Sequence, residues 1–228
     1  MAAVVTESKS RQIVVVNANK FYLMEREPRL REIVSGADLV IPEWAVVWDA
    51  KQLGLPSLNH LGGLVLAKAF MPYAAQRGLR PYLLGSKLEV VTALVAKLRT
   101  DYPNLNIAGF HDGYLTDPEI EAQVISDIQQ ANPDVLFVAM GSPKQELWIH
   151  THREELGVPV SIGIGGSFDV LAGLKKDTPS WARGKGLEWA YRLALDPRNY
   201  WKRYLVTNTW LIWQVMKARW EVNPRIAD

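Results

Sequence analysis

Asn132-Pro133-Asp134-Val135-Leu136-Phe137-Val138-Ala139-Met140-Gly141-Ser142-Pro143-Lys144-Gln145-Glu146 reads as a buried strand, a sharp turn and the start of a helix. Val135 to Ala139 are apolar without alternation, the pattern of a parallel strand covered on both faces. Gly141 lets the backbone turn, Ser142 is placed to cap the next helix, and Pro143 suits its first position. A helix start of this kind offers free N–H groups to anions, diphosphates included. Lys144 and Gln145 then fall at the carboxyl end of a strand, where open α/β sheets bind ligands. An ordinary strand-to-helix connection would look much the same, so the rest of the chain has to decide.

Working outward, the pattern repeats. Short apolar runs at 13–16, 39–41, 81–84, 106–110 and 159–164 alternate with helical stretches at about 20–34, 64–77, 87–98 and 118–130, the first interrupted by Pro28. Residues 44–58 read as mixed. Several post-strand turns are polar or glycine-rich: Asn17-Ala18-Asn19, Gly85-Ser86, His111-Asp112-Gly113-Tyr114 and Gly165-Gly166. Alternating strand and helix with such turns predicts a Rossmann-like α/β fold, a parallel sheet with helices on both faces and the turns gathered at one edge. The expected organisation is a flexible N-terminus at 1–12, a Rossmann-like core at 13–178 and a helical C-terminal appendage at 179–228.

The chain has 228 residues and is 48% apolar, enough for one sizeable core. It has no cysteine, which excludes disulfides and thiolate metal sites. His150 and His152 stand two apart, off a shared helix face, so no metal is expected there. No run reaches the roughly 18 uncharged apolar residues of a membrane-spanning helix, and the polar first residues lack the apolar core of a signal peptide. A soluble or peripheral protein is expected. Charge is uneven: residues 183–228 hold nine Lys/Arg against four Asp/Glu, about +5, leaving the remainder near −3. The same segment carries Trp189, Trp201, Trp210, Trp213 and Trp220. Basic residues with tryptophan on amphipathic helices suit an anionic membrane surface or a phosphate-bearing ligand; a helical subdomain with core tryptophans is the plainer reading. Nucleic acid is not expected, because the body is slightly acidic and no binding signature is present.

Gly85-Ser86-Lys87 and Gly141-Ser142-Pro143-Lys144 are both strand–Gly–Ser–helix entries able to hold phosphate. Neither ends in the Gly-Lys-Ser/Thr of a P-loop, and no Gly-x-Gly-x-x-Gly opens a helix, which argues against a nicotinamide enzyme.

Five blocks carry a resemblance: Tyr82-Leu83-Leu84-Gly85; Gly109-Phe110-His111-Asp112-Gly113-Tyr114; Val138 through Glu146; Gly163-Ile164-Gly165-Gly166-Ser167-Phe168-Asp169; and Gly186-Leu187-Glu188-Trp189 with Arg192. In this order they resemble the WecG/TagA/CpsF glycosyltransferase family. The resemblance implies inverting transfer of an N-acetylmannosamine-type sugar, or its uronate, in bacterial cell-surface polysaccharide synthesis. The implied donor is a UDP-sugar and the implied acceptor a polyprenyl-diphosphate-linked sugar, with neither cofactor nor essential metal. It also implies a C-terminal appendage that reaches the inner face of the cell membrane from the cytoplasm; self-association stays open.

Carried over residue by residue, Gln145 matches the family's glutamine beside the substrate pocket, and Gly141, Ser142 and Lys144 lie in its turn. Gly85, Ser86 and Gly165 supply further strand-end contacts, and Arg192, Arg198 and Arg203 match appendage arginines expected on the diphosphate. The chain departs from the pattern at its N-terminal third. A Thr-Pro-Asn-Ala element becomes Val15-Val16-Asn17-Ala18, keeping Asn17 but losing the hydroxyl. A Pro-Asp-Gly element becomes Pro42-Glu43-Trp44, so Glu43 is the candidate general base, one methylene longer than aspartate. His60 stands where an arginine is usual. Loss of the threonine and aspartate together motivates an alternative, a homologue that binds nucleotide-sugar or lipid-linked glycan without turnover; Trp44 and His60 prompt a third, a changed donor.

Overall fold

Three strands buried along their whole length, flanked by helices, anchor the architecture seen in a computed structural model, which describes residues 10–56, 58–182 and 186–222. Most of the expected N-terminal lead-in, residues 1–9, lies outside the described residues. Six strands form one sheet in the order β2-β1-β6-β5-β3-β4: β1 (Arg11–Val16), β2 (Leu39–Pro42), β3 (Pro81–Gly85), β4 (Gly109–His111), β5 (Val135–Ala139) and β6 (Val160–Gly163). The expected α/β fold with a parallel sheet is what the chain adopts.

Helices α1 (Ala18–Arg26) and α2 (Pro28–Ser35) follow β1, α3 (Trp44–Gln52) and α4 (Gly63–Arg77) follow β2, and α5 (Leu88–Asp101) follows β3. Then come α6 (Pro118–Ala131) after β4, α7 (Lys144–Leu156) after β5, α8 (Ser167–Leu171) after β6, and finally α9 (Glu188–Leu195) and α10 (Pro197–Val222).

The chain resolves into two compact units. The first comprises Met1–Val15, Glu32–Val40 and Gly63–Lys176, the second Val16–Arg31, Ile41–Gly62 and Asp177–Asp228.

In the first unit, side chains of successive strand residues point to opposite faces. Leu84, Leu136 and Val138 pack with Val124, Ile128, Trp148 and Ile149 of α6 and α7. Phe137 turns the other way, its ring meeting Phe70 of α4 edge-on with centroids 5.3 Å apart. Each such fully buried side chain contributes about 1.5–3 kcal/mol. Trp148 buries its ring but satisfies its indole N–H by donating to Glu121 Oε1 at 2.7 Å, a pairing that ties α7 to α6.

Register places the strand ends level, with Gly85 opposite Ala139 and Val138 opposite Gly163. The turns beyond are laced together: Ser86 N–H donates to Ala139 O, Ile164 N–H to Val138 O and Gly113 N–H to Ser86 O, each at 2.9 Å. Gly85 is required here. Its φ is 132°, and a Cβ would lie 2.6 Å from the Ala139 backbone.

Several sequence expectations shift. The helix expected over 20–34 divides at Glu27, which is extended before Pro28, because proline disfavours helical geometry in the residue preceding it. The mixed segment contains α3, and the strand expected over 106–110 shortens to Gly109–His111. Ser142 does not cap α7. The cap position is Pro143, whose side chain offers no acceptor, and the helix begins at Lys144.

Candidate functional site

In the first unit the turns after β3, β4 and β5 border an open pocket of about 630 Å³, lined by Ser86, Gly113, Met140, Lys144, Asp169 and Lys175 among others. That volume suits a small organic ligand. Its polar groups are arranged rather than loose. Lys144 Nζ donates to Gly113 O at 3.2 Å, Ser86 Oγ to Asp169 Oδ2 at 3.4 Å, and Lys175 pairs with Asp169 Oδ1 at 3.0 Å. Ser86 sits at φ 62°, a left-handed conformation uncommon for a residue with a side chain. Such geometry is found where a turn must present specific groups.

Gln145 is 2% exposed. Its carbonyl accepts the Gly165 N–H at 2.9 Å and its amide donates to Glu146 Oε1 at 2.7 Å. It braces the turn after β6, where Gly165 has φ 56°. Gly141, at φ 77° with open space around its missing side chain, gives its carbonyl to Gln145 N–H at 2.9 Å. The sequence-nominated residues of this unit therefore form two groups: Ser86 and Lys144 line the pocket, with Gly85 setting the turn, while Gly141, Gln145 and Gly165 shape the backbone. Asp169 and Lys175 join the pocket without having been singled out from sequence, although Asp169 ends one of the five quoted blocks.

The second unit holds a compact charged cluster. Asn17 caps α1, its Oδ1 accepting the Lys20 N–H at 3.0 Å. With that oxygen engaged, its amide is the group that donates to the Glu43 carboxylate. Glu43 occupies the cap position of α3 yet makes no side-chain cap bond, so its carboxyl is not consumed by its own helix. Its backbone N–H donates to Val16 O at 2.8 Å and its carbonyl receives Val46 and Val47. Burial raises the Glu43 pKa; Arg192, the Asn17 bond and Lys20 lower it, while Glu188 raises it. The net direction is upward from the ordinary carboxylate value.

Arg192 projects from α9 and pairs with Glu188 at 3.9 Å. Burial opposes its charge, but Tyr204, Glu43, Glu188 and Tyr200 together hold the guanidinium charged. The ring of Trp44 fills the space beside Gly186, where a Cβ would meet it at 2.3 Å, which seats the start of α3 against the turn that leads into α9. Arg203 lies over the rings of Tyr200 and Tyr204 at 4.7 and 5.1 Å. Arg198 and His60 are exposed. Of the residues nominated from sequence, the fold thus gathers Asn17, Glu43 and Arg192, and adds Lys20 and Glu188. Lys20, three residues after Asn17, was not nominated from the sequence as a site residue.

A parallel α/β sheet with a ligand-sized pocket at its strand ends is the build of a Rossmann-like ligand-binding protein. The chain belongs to the WecG/TagA/CpsF family of glycosyl transferases, whose sequence pattern matches residues 1–225. It is similar to an N-acetylglucosaminyldiphosphoundecaprenol N-acetyl-beta-D-mannosaminyltransferase of Bacillus subtilis (strain 168), 38% identical over 76% of this chain and 67% of the relative. A protein of the same name from Bacillus spizizenii is 34% identical over 87% of this chain and 76% of the relative.

Proposed function

We propose that this chain is an inverting glycosyltransferase that moves an N-acetylhexosamine-type sugar, N-acetylmannosamine or its uronate, from a UDP donor to a polyprenyl-diphosphate-linked sugar, without a metal. The names of the Bacillus relatives support the sugar and the lipid-diphosphate acceptor. The observation that carries the reading is the half-buried Glu43 carboxyl at the start of α3, free of a cap bond to its own helix and under the charge of Arg192.

In this mechanism Glu43 takes the proton of the acceptor hydroxyl as that oxygen attacks the anomeric carbon. The bond from that carbon to the UDP oxygen breaks, and UDP leaves with the bonding pair. An upward-shifted pKa makes the carboxylate a stronger base than a solvated one. The leaving diphosphate gains charge as the bond opens, and Arg192, Arg198 and Arg203 neutralise it; arginine suits this through its paired N–H geometry. Ser86 and Lys144, which line the strand-end pocket of the first unit, offer a hydroxyl and an ammonium to a phosphate-bearing ligand. Gln145 and Gly165 hold a neighbouring turn in shape, and His60 takes the place of a substrate-contacting arginine.

Among the described residues no helix is long and apolar enough to cross a membrane. In this reading the aromatic and basic α10 meets the lipid substrate at the cytoplasmic face of the membrane.

The test is UDP release from a panel of UDP-sugars in the presence of a lipid-diphosphate-sugar acceptor, with and without chelator. Glu43→Gln should lower kcat by about 10²–10⁴-fold, with nucleotide binding retained. UDP binding without turnover against the whole panel would replace this reading with that of a binding homologue.

A further inference from the structure

Arg203 is exposed on α10, and its partners among the described residues are aromatic rather than acidic. Its guanidinium carbon lies 4.7 Å from the ring centre of Tyr200 and 5.1 Å from that of Tyr204, and Nη2 donates to the Tyr204 hydroxyl at 3.4 Å. The two tyrosines are four residues apart, on one face of the helix. Both are half-buried, and their rings stack with centres 5.7 Å apart and planes 24° from parallel. Trp189 of α9 packs edge-on against Tyr204 at 6.1 Å. All four residues belong to the second unit.

The kind of partner decides what a guanidinium has left to offer. A carboxylate engages its N–H edges in pairs, the same edges that recognise phosphate. An aromatic face answers the charge and leaves most of those donors free. Arg192 shows the contrast within this unit, since it faces the Glu188 carboxylate at 3.9 Å. Two rings in contact also restrict a long side chain that would otherwise lose much rotamer freedom on binding.

We propose that Tyr200 and Tyr204 are positioning residues for Arg203, a two-ring platform that presents its N–H edge to a diphosphate. The inference rests on the reading of Arg203 as a diphosphate contact and adds the residues that hold it. Trp189 steadies the platform from α9.

Inorganic pyrophosphate is the probe, titrated calorimetrically into the full chain without sugar substrates. Arg203→Gln should weaken binding about tenfold, as expected for a lost charged hydrogen bond. Tyr200→Leu should weaken it about three- to fivefold, and Tyr200→Phe, which keeps the aromatic face, should bind as the parent does. Tyr204→Leu repeats the test from the second ring, should Tyr200→Leu fail to fold. In the Arg203→Gln background neither leucine substitution should cause further loss, because each acts through the guanidinium. A purely structural role would add its own loss there, and such additivity overturns the proposal. Parental affinity in the leucine variants, no rescue by phenylalanine, or no binding of pyrophosphate to the parent overturns it equally.

The same variants are then compared in turnover, where kcat/KM should fall by the same three- to fivefold with the same dependence on Arg203. Coupled losses in pyrophosphate binding, with no turnover of any donor, would leave the platform standing while removing the transferase reading.

Discussion

The side-chain carbonyl of Gln145 accepts the backbone N–H of Gly165 at 2.9 Å, so a residue of the first turn of α7 sets the conformation of the turn after β6. The approach leaves no slack, since a Cβ on Gly163 would lie 2.5 Å from the Gln145 amide nitrogen. Gln145→Ala should therefore lower stability by about 1–3 kcal/mol, the cost of a buried hydrogen bond lost. Gly163→Ala should do comparable damage by displacing the glutamine. Urea unfolding of the two single variants and the double would check it: the double should cost less than their sum, because both act on one contact.

Gly85 and Gly141 both have positive φ, but only Gly85 is crowded. Gly85→Ala should cost more than about 3 kcal/mol, because backbone of β5 stands where the methyl would go. Gly141→Ala meets open space and should cost only about 1–2 kcal/mol of left-handed strain. Equal losses in thermal unfolding would contradict this ordering.

Asp49 of α3 is 7% exposed, and neither carboxylate oxygen has a hydrogen-bond partner among the described residues. Burial raises its pKa from 3.8 to about 7. Between those values the folded chain keeps a proton that the unfolded chain has lost, so stability falls as pH rises through this window and is fully retained below it. Asp49→Asn removes the ionisation. The variant should gain Tm over the parent at pH 8, and the gain should shrink by pH 4. A pH-independent difference between the two melting curves would rule out the buried carboxyl as its source.

On α10, Trp213 and Trp220 are 64% and 69% exposed, in a helix that also carries Arg198, Lys202, Arg203, Lys217 and Arg219. Replacing both tryptophans by alanine should weaken binding to anionic vesicles by about tenfold or more, given the apolar area two indoles withdraw from water. Raised salt should weaken the parent as well. Co-sedimentation unchanged by the double substitution would remove α10 as the membrane contact.

The sheet was legible because it rests on short-range signals. Apolar runs of three to six residues, most of them closed by glycine or a polar turn, give the strands and their parallel sense together, and Pro28 announced the break between α1 and α2. Cap chemistry was less so. Ser142 looks like a cap in isolation, yet the helix starts two residues later. The family motifs pointed to Asn17, Glu43 and Arg192 and contained Asp169 without giving it a role, but did not include Lys20, since lysines and aspartates beside turns are common in any sequence. Their meaning comes from burial and from partners far away in the chain, such as the 83 residues between Ser86 and Asp169. Periodicity carries no trace of such pairs.

Because the second unit draws on Val16–Arg31, Ile41–Gly62 and Asp177–Asp228, the polypeptide enters it three separate times. Glu25 of the first stretch receives both Trp210 Nε1 and Gln214 Nε2 from the last, at 3.1 and 3.0 Å, and Tyr22 meets the Trp210 ring edge-on. Shortening the chain after residue 176 would not cleanly excise a module. It would strip α1 of its neighbour and leave two early stretches without the helix they fold against. Inactivity of such a truncation would report misfolding as readily as lost lipid contact, so single exposed indoles are the sharper instrument for dissecting the tail.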